Sequence, residues 1–577
     1  MIRVATGRIR KSADPPVRVA ANRVGRATMS GRRIKRALIS VYDKTGVVEF
    51  ARTLRDEFGI EILSTGGTAS LLRDSGIPVI AVEEITGVGE MLDGRVKTLH
   101  PTIHAAILAD RDNPDHTRQL CDAGIEPIDM VVVNLYPFEQ TITEPDCTVE
   151  QATEMIDIGG PCLLRAAAKN HKHVFVVSRP DRYAWACRAL REWDRDETRA
   201  AALQRGGEDA FVQTASYDGT IAGWLSRDKE PDATDVKHIL LCARKELRYG
   251  ENPHQVSAIF TCPDDHRQGV LSSSGVDDNA AKQMSFNNFL DSNAALLLCE
   301  ELASGRLPQI ACFVKHSNAC GVGIGSSPIE AYRSAYLGNP NAAMGGILAV
   351  NFEVDASVAE AVMDSLRRWG KSARAGAFFV EVWLAPSFEK DAIDVIRTKK
   401  RWGANVRLLN AVRPALSPDS GQWDLRRITG GILLQSSDTI GLNEDEWQVA
   451  TERSPTGREW ADLRLAWLIA KHTTSNAVSI CKNGMLIGNG AGQMSRVMSC
   501  RIATWLANDN GHAEALSGAV AASDGFFPFR DGPDILMDAG ISAIIQPGGA
   551  KRDAETVAAC NERGAAMVFT RTRHFRH

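Results

Sequence analysis

Two stretches of the 577-residue chain carry side chains that could do chemistry. In CFVKHSNACG, Cys312 to Gly321, an apolar run ends directly in Lys315, His316 and Asn318. That sets an ammonium, an imidazole and an amide at the mouth of a buried strand, and α/β proteins build their sites at the carboxyl edges of strands. An imidazole titrates near neutrality, so it is suited to moving protons. In STGGT, Ser64 to Thr68, glycines let backbone N–H groups converge, hydroxyls add donors and a following helix adds positive potential. This is the chemistry of a phosphate cradle. Neither stretch suffices alone, because a glycine pair between strand and helix is ordinarily a turn, and Lys-His in a loop is ordinarily a solvated charge beside a satisfied ring.

The elements that must position these groups alternate along the chain. From Ala37, ALISVY reads as a strand, KTGVVEFARTLRDEF as an amphipathic helix, EILS as a strand, TASLLRDSG as a helix and IPVIAV as a strand. DMVVVNLY, the helical PCLLRAAAKN and the strand HVFVV follow. Short apolar runs separated by helical periods indicate βαβ units around a mostly parallel sheet. The polar segment SRDKEPDATD then separates a second α/β series with strands ACFV, GILAV, FFVEVWLA, GGILLQ, AIIQ and AMVF. In AVSICKNGMLIG the pair Asn483-Gly484 is the preferred type I′ hairpin turn. We expect a domain over 35-230 and another over 236-577; the second is long for one core and can hold two similar subdomains, although no repeat is visible in it.

Composition narrows the class. A content of 44% hydrophobic and 24% charged residues with net charge −4 is that of an ordinary globular protein and gives no reason to expect nucleic-acid or membrane binding. Twelve cysteines without a C-x-x-C pair argue against a zinc ribbon or disulfide framework and fit reduced thiols in the cytoplasm. No run reaches the length of a membrane-spanning helix. Residues 1-34 are strongly basic with a single acid, Asp14, so they read as a disordered leader or a misassigned start, with Met29 as an alternative.

The company of the two stretches decides more. GRVKTLHP (Gly94 to Pro101), NLYPF (Asn134 to Phe138), IDIGG (Ile156 to Gly160) and AAAKNH (Ala166 to His171) resemble the amino-terminal half of the AICAR transformylase/IMP cyclohydrolase family. The resemblance implies a methylglyoxal-synthase-like parallel-sheet domain that closes the second purine ring of formyl-AICAR with loss of water. It implies Lys97, Tyr136 and Lys169 as donors and Asp157 as the group that orients or deprotonates the amide. Ser40, Lys44, Ser64, Gly66, Gly67, Thr68, Arg95 and Thr98 would hold the nucleotide, with Asn134 and Gly159 near the base.

LRYGENPHQ (Leu247 to Gln255), SFNN, TSNAV, GAGQMSR, SDGFFPFRDG and the terminal RTRHFRH resemble the transformylase half of the same family, whose fold is a pair of cytidine-deaminase-like αβα subdomains. The implied reaction passes a formyl group from the cosubstrate 10-formyltetrahydrofolate to the 5-amino group of AICAR. His316 is then the general base and Lys315 the oxyanion stabiliser or acid, with Asn318 or Asn476 orienting the groups. Arg248, Tyr249, Gly345, Asn351, Arg496, Phe526 and Arg573 carry over as AICAR contacts. HAE at His512 lacks the P-C-x-x-C that a deaminase zinc site needs, so no catalytic metal is expected. The family also implies a homodimer with transformylase sites between subunits.

The chain departs from the family pattern at Tyr42, usually Ser, at Ala319, usually Pro, and at Ala342 and Met344 in a run that usually reads Ser-Ala-Phe. Losing a proline is expected to loosen Asn318. Rival readings are a chain competent only as cyclohydrolase and a phosphate-ligand sensor without catalysis. Retention of Lys97, Tyr136, Asp157 and Lys169 argues against the sensor.

Overall fold

The computed structural model describes residues 33–92, 94–227, 241–261, 269–276, 284–304, 309–412 and 423–577. It forms two compact units, Met1–Leu240 and Leu241–His577. The basic leader and the segment between 230 and 236 lie outside the described residues.

Five strands build the first unit: β1 (Arg36–Val41), β2 (Glu61–Ser64), β3 (Ile80–Ala81), β4 (Met130–Asn134) and β5 (Phe175–Val177). Their order is β3-β2-β1-β4-β5, and every pairing is parallel. The strands read as unbroken apolar runs because both faces are covered. Ala37, Ile39, Met130 and Val132 pack into one layer, while Leu38, Val131 and Val133 pack into the opposite one. Of the expected strand IPVIAV only Ile80–Ala81 pairs, since it lies at the sheet edge and Pro78 has no N–H to donate. The 30-residue helix Asp196–Leu225 crosses β5, and its Gly206-Gly207 pair permits the approach: a Cβ at 206 would stand 2.4 Å from Val176 O.

Among the described residues of the second unit twelve strands share one sheet: β8 (Ser274–Gly275), β9 (Gln309–Lys315), β10 (Asn318–Gly325), β11 (Gly346–Val350), β12 (Val380–Ala385), β13 (Arg407–Asn410), β16 (Gln448–Val449), β17 (Val478–Lys482), β18 (Met485–Gly490), β19 (Val520–Ser523), β20 (Ala543–Gln546) and β21 (Ala566–Phe569). Two hairpins stand outside it: β6 (Cys242–Leu247) with β7 (Ser257–Thr261), and β14 (Trp423–Ile428) with β15 (Gly431–Ser436). GGILLQ is therefore a strand, but in an exposed hairpin rather than in the main sheet.

The sheet order β16-β21-β20-β19-β17-β18-β10-β9-β11-β12-β13-β8 is a palindrome. Each half is a hairpin followed by three mutually parallel strands with a short antiparallel edge strand, and β10 meets β18 at the centre. The helices before each hairpin, Phe286–Ser304 and Gly457–Lys471, contribute Leu298, Leu302, Leu465 and Trp467 to one shared core. The opposite face carries two separate cores, one for each half. The duplication leaves a sequence trace in glycines that let a helix lie against the second hairpin strand. A Cβ at Gly321 would meet Ala335 O at 2.0 Å and one at Gly488 would meet Ala503 O at 2.2 Å, while Cβ atoms at Gly323 and Gly490 would stand 2.3 and 2.0 Å from Ala331 O and Ser499 O.

Candidate active sites

In the first unit the candidate residues gather at the carboxyl edge of the parallel sheet. Ser64 ends β2 and donates to Ile39 O at 2.6 Å, and Thr68 donates to Val41 O at 2.9 Å. Both are buried, so these hydroxyls lock the turn onto β1. The helix Gly66–Asp74 starts there with its first N–H groups free to meet an anion. Gly66 has φ 52, and a Cβ on it would approach Lys97 Nζ to 3.2 Å, which brings Lys97 against the cradle. Exposed Lys44 borders the same turn: its Cε lies 3.9 Å from where a Gly67 Cβ would be. Ser40 lies one residue before the end of β1, opposite Val133.

Asn134 closes the end of β4. Its Oδ1 accepts the N–H groups of Tyr42 and Asp43 at 2.6 and 2.9 Å, and its Nδ2 donates to Asp43 O at 2.8 Å. The exposed Tyr42 ring leans on Tyr136, centroids 5.2 Å apart. Arg95 pairs with Glu154.

Asp157 precedes the helix Gly159–Lys169 and accepts from Gly160 N at 2.8 Å. Burial pushes its pKa up, while hydrogen bonds from the backbone of Gly160 and Tyr136 and the charge of Lys97 oppose the rise. Burial, then the Asp157 charge, raises the phenol of Tyr136, so Tyr136 is a protonated donor at neutral pH. Thr98 is buried, and its Oγ1 is 3.1 Å from where a Gly159 Cβ would stand. Lys97, Tyr136, Asp157, Thr98 and Gly159 thus meet.

Lys169 does not join them. It is exposed in the last turn of the helix that Asp157 precedes, and eleven residues of helix at about 1.5 Å each span roughly 16 Å. Its neighbour Asn170 donates to Ile107 O and Ala109 O, at the far end of the adjacent helix Pro101–Leu108. Nearness in sequence misleads here because a helix runs from one sheet edge to the other.

In the second unit the opening stretch forms the hairpin β9–β10. Lys315 ends β9, His316 and Ser317 make the tip with φ 56 and φ 59, and Asn318 begins β10. A left-handed conformation costs an L-residue about 1–2 kcal/mol, so two adjacent non-glycine residues held there need support. His316 is exposed. Lys315 is half-buried and donates to Met344 O at 2.8 Å, which leaves two ammonium hydrogens for other acceptors.

The Asn318 amide is held at both ends: Nδ2 donates to His316 O at 3.0 Å and Oδ1 accepts from Thr474 N at 2.8 Å. The loosening expected from Ala319 is met by these two contacts, neither of which involves residue 319. A cleft of about 110 Å³ opens between the two hairpins, lined by Lys315, Asn318, Asn339, Asn489 and Asn510.

From Thr474 the site continues to Asn476, whose Nδ2 donates to Gln493 O and whose Oδ1 accepts from Arg496 Nη2, both at 2.8 Å. Arg496 also donates to Ser523 Oγ at 2.6 Å and pairs with Asp524. Phe526 is 41% exposed two residues on. The Phe575 ring lies against Gly525 beside Arg496, and Arg573 stacks over it at 4.5 Å. Arg248 and Tyr249 touch each other at 2.9 Å in the loop after β6, which Asn287 ties to the helix Phe286–Ser304 through Glu251 O. Gly345, φ 72, precedes β11 next to Met344.

Asn351 stands elsewhere. Its Oδ1 accepts from Ile310 N at 2.8 Å, at the start of β9, and the strand from there to His316 covers roughly 20 Å. It caps a strand end, because β11 runs antiparallel to β9 and carries its last residues away from the tip.

The model of the AICARFT/IMPCHase bienzyme family matches residues 167–505, and that of the MGS-like domain matches residues 46–162. The chain belongs to the AICARFT/IMPCHase bienzyme family. It is 45% identical over 555 residues to a protein of Magnetococcus marinus named bifunctional purine biosynthesis protein PurH, covering 94% of this chain and 100% of the relative. Proteins of the same name from Chloroflexus aurantiacus and Bacillus cereus are 46% and 42% identical, again over 94% of this chain, and 99% and 100% of their own lengths. The departures at Tyr42, Ala319, Ala342 and Met344 thus sit within a chain of which 94% matches nearly the full length of these relatives.

Three residues of the bienzyme carried no local sequence signal. Glu90 lies 3.9 Å from Lys97 Nζ. Tyr217, from the long helix, accepts from Asp157 N at 2.8 Å and donates to Met155 O at 2.7 Å. Asp291 accepts from the tip of the β9–β10 hairpin.

Proposed function

We propose that the chain carries out two successive reactions on one ribonucleotide: formyl transfer from 10-formyltetrahydrofolate to the 5-amino group of AICAR, then closure of formyl-AICAR to IMP with loss of water. The observation that carries this reading is the hairpin tip, where an exposed imidazole, an anchored ammonium and a doubly held amide come together. The amine nitrogen attacks the formyl carbon while His316 takes its proton. Lys315 faces the oxyanion with the hydrogens that Met344 O does not occupy. Collapse of the tetrahedral intermediate releases the folate nitrogen, which is reprotonated. Arg248, Arg496 and Arg573 meet the nucleotide's anionic and amide groups, and Phe526 offers a stacking face.

Ring closure belongs to the first unit. The nucleotide phosphate sits on the Ser64–Thr68 turn with Lys44 and Lys97 near it. Asp157, whose burial makes it a stronger base than an exposed carboxylate, takes the carboxamide proton as the nitrogen attacks the formamido carbonyl. Tyr136 protonates the resulting oxyanion, and the proton held by Asp157 then passes to that hydroxyl, which leaves as water while the Tyr136 oxygen takes back a ring N–H proton. Lys169 receives no role within this set.

The substrates are small molecules, and the catalytic groups described need no metal. We place the enzyme in the cytoplasm, a reading supported by ten cysteines that are all free among the described residues. A homodimer is supported by the β14–β15 hairpin, whose Leu425, Ile428 and Leu433 are 47%, 46% and 56% exposed, a pattern typical of an interaction surface.

Purified protein given AICAR and 10-formyltetrahydrofolate, and separately formyl-AICAR, is expected to form IMP in both cases. His316→Ala loses the first reaction and keeps the second; Lys97→Ala slows the second. IMP from formyl-AICAR alone would leave only a cyclohydrolase.

A further inference from the structure

The duplicated half-sheets share a device at their hairpin tips. On the helix before the first hairpin, Asp291 accepts from His316 N at 3.2 Å, from Ser317 N at 2.7 Å and from Ser317 Oγ at 3.3 Å. On the helix before the second, Asp462 accepts from Asn483 N at 2.8 Å and Gly484 N at 2.7 Å. The lysines that open the two tips match as well. Lys315 donates to Met344 O, two residues before β11, and Lys482 donates to Gly518 O, two residues before β19. One scaffold has been used twice.

The tips differ in what they must hold. Asn483 and Gly484, at φ 50 and φ 74, are the residues that favour a left-handed turn by themselves. His316 and Ser317 are not: their carbonyls accept from Asn318 Nδ2 and Arg576 Nη1, and Asp291 is the carboxylate that takes both of their N–H groups. Released, the pair would rotate toward ordinary backbone regions and carry the imidazole away from Lys315 and Asn318.

We propose that Asp291 is a positioning residue of the formyl-transfer site, fixing the His316 imidazole by clamping the two tip amides. The inference rests on the reading of His316 as the base. Asp462 is its twin at a tip that needs no such help and serves as a control inside the same molecule.

The test uses the full chain. Asp291→Asn keeps the side-chain volume but loses one acceptor oxygen. Its kcat for formyl transfer is expected to fall roughly 10- to 100-fold, the range set by a misplacement of about 1 Å. KM for AICAR changes less than about threefold, because ground-state contacts are untouched, and ring closure of formyl-AICAR is unchanged. Asp462→Asn lowers the melting temperature yet keeps formyl transfer.

Ser317→Gly placed in the Asp291→Asn protein restores most of the lost kcat, since glycine accepts the left-handed region without support; a merely structural loss would not be rescued this way. Asp291→Glu, which keeps both acceptor oxygens, gives an intermediate kcat and stands in if the asparagine variant does not fold. A wild-type kcat in the Asp291 variants, or a loss that Ser317→Gly does not repair, overturns the inference alone. Formyl transfer surviving in His316→Ala overturns both the inference and the reading beneath it.

Discussion

Arg496 and Asp524 form an ion pair inside the second unit, with side chains 8% and 0% exposed. The same guanidinium reaches Asn476 Oδ1 at 2.8 Å, so a buried ion pair and an amide of the proposed formyl-transfer site share one arginine. Asp524→Ala would strand a buried cation, which costs about 3–5 kcal/mol. Chemical denaturation should show that loss, and formyl transfer should fall with it as Arg496 lets go of Asn476. An unchanged denaturation midpoint would contradict the burial described.

Asp157 provides a pH signature. Burial raises its pKa above 3.8, so between 3.8 and that raised value the folded chain holds a proton there that the unfolded chain has released. With Asp157 as the proposed base, ring closure should rise with pH through that elevated pKa, and stability should fall across the same window. Asp157→Asn should abolish the acidic limb of the ring-closure rate along with most of the rate itself. An acidic limb of full amplitude in the variant would assign it to another group.

Tyr217 acts on Asp157 from the long helix. Burial lifts its phenol to about 12, so it is protonated and able to donate to Met155 O while accepting from Asp157 N. Tyr217→Phe should slow ring closure of formyl-AICAR and leave formyl transfer alone. Each lost hydrogen bond costs about 1 kcal/mol in stability, which melting curves can check. Equal slowing of both reactions would argue against a local effect.

Glu301 is held between Lys471 Nζ and His472 Nε2, each 2.6 Å away. Burial pushes its pKa up, but the His472 hydrogen bond and the two partners' charges outweigh that, and the net value lies below 4.5. A depressed carboxylate contributes stability above its unfolded pKa and loses it as pH falls through the folded one. Denaturation midpoints followed downward through 4.5 should therefore drop in the wild type. Glu301→Gln should start lower and show less of that drop.

Ala319 and Met344 depart from the family pattern, yet Asn318 is fixed by His316 O and Thr474 N, and Lys315 uses only the backbone carbonyl of Met344. Met344→Phe should leave kcat for formyl transfer unchanged. A clear gain in kcat would mean that an aromatic face at 344 supports the transition state.

The sequence made the α/β alternation legible because apolar runs in a doubly covered sheet are unbroken, and Asn483-Gly484 announced its turn by residue type. The tip at His316-Ser317 gave no such notice, since the side chains that bond it include Asp291, twenty-five residues before His316, and Arg576 near the chain end. Lys169 and Asn351 stand apart from the other candidates for one reason: each sits at the far end of an element whose near end carries the candidate site, and a motif does not show which end that is. Tyr217 was invisible because its hydrogen bonds to Asp157 N and Met155 O span sixty and sixty-two positions along the chain. The palindromic sheet was hidden because its halves share topology, tip clamps and glycine spacing but little else.

That palindrome also bears on biosynthesis. While the ribosome has released only the first half-sheet, β10 has no β18 to cover it, and a bare strand margin of this kind recruits other chains. The bienzyme is then most prone to aggregation midway through synthesis of its second unit, and a fragment cut between the half-sheets should be less soluble than the whole.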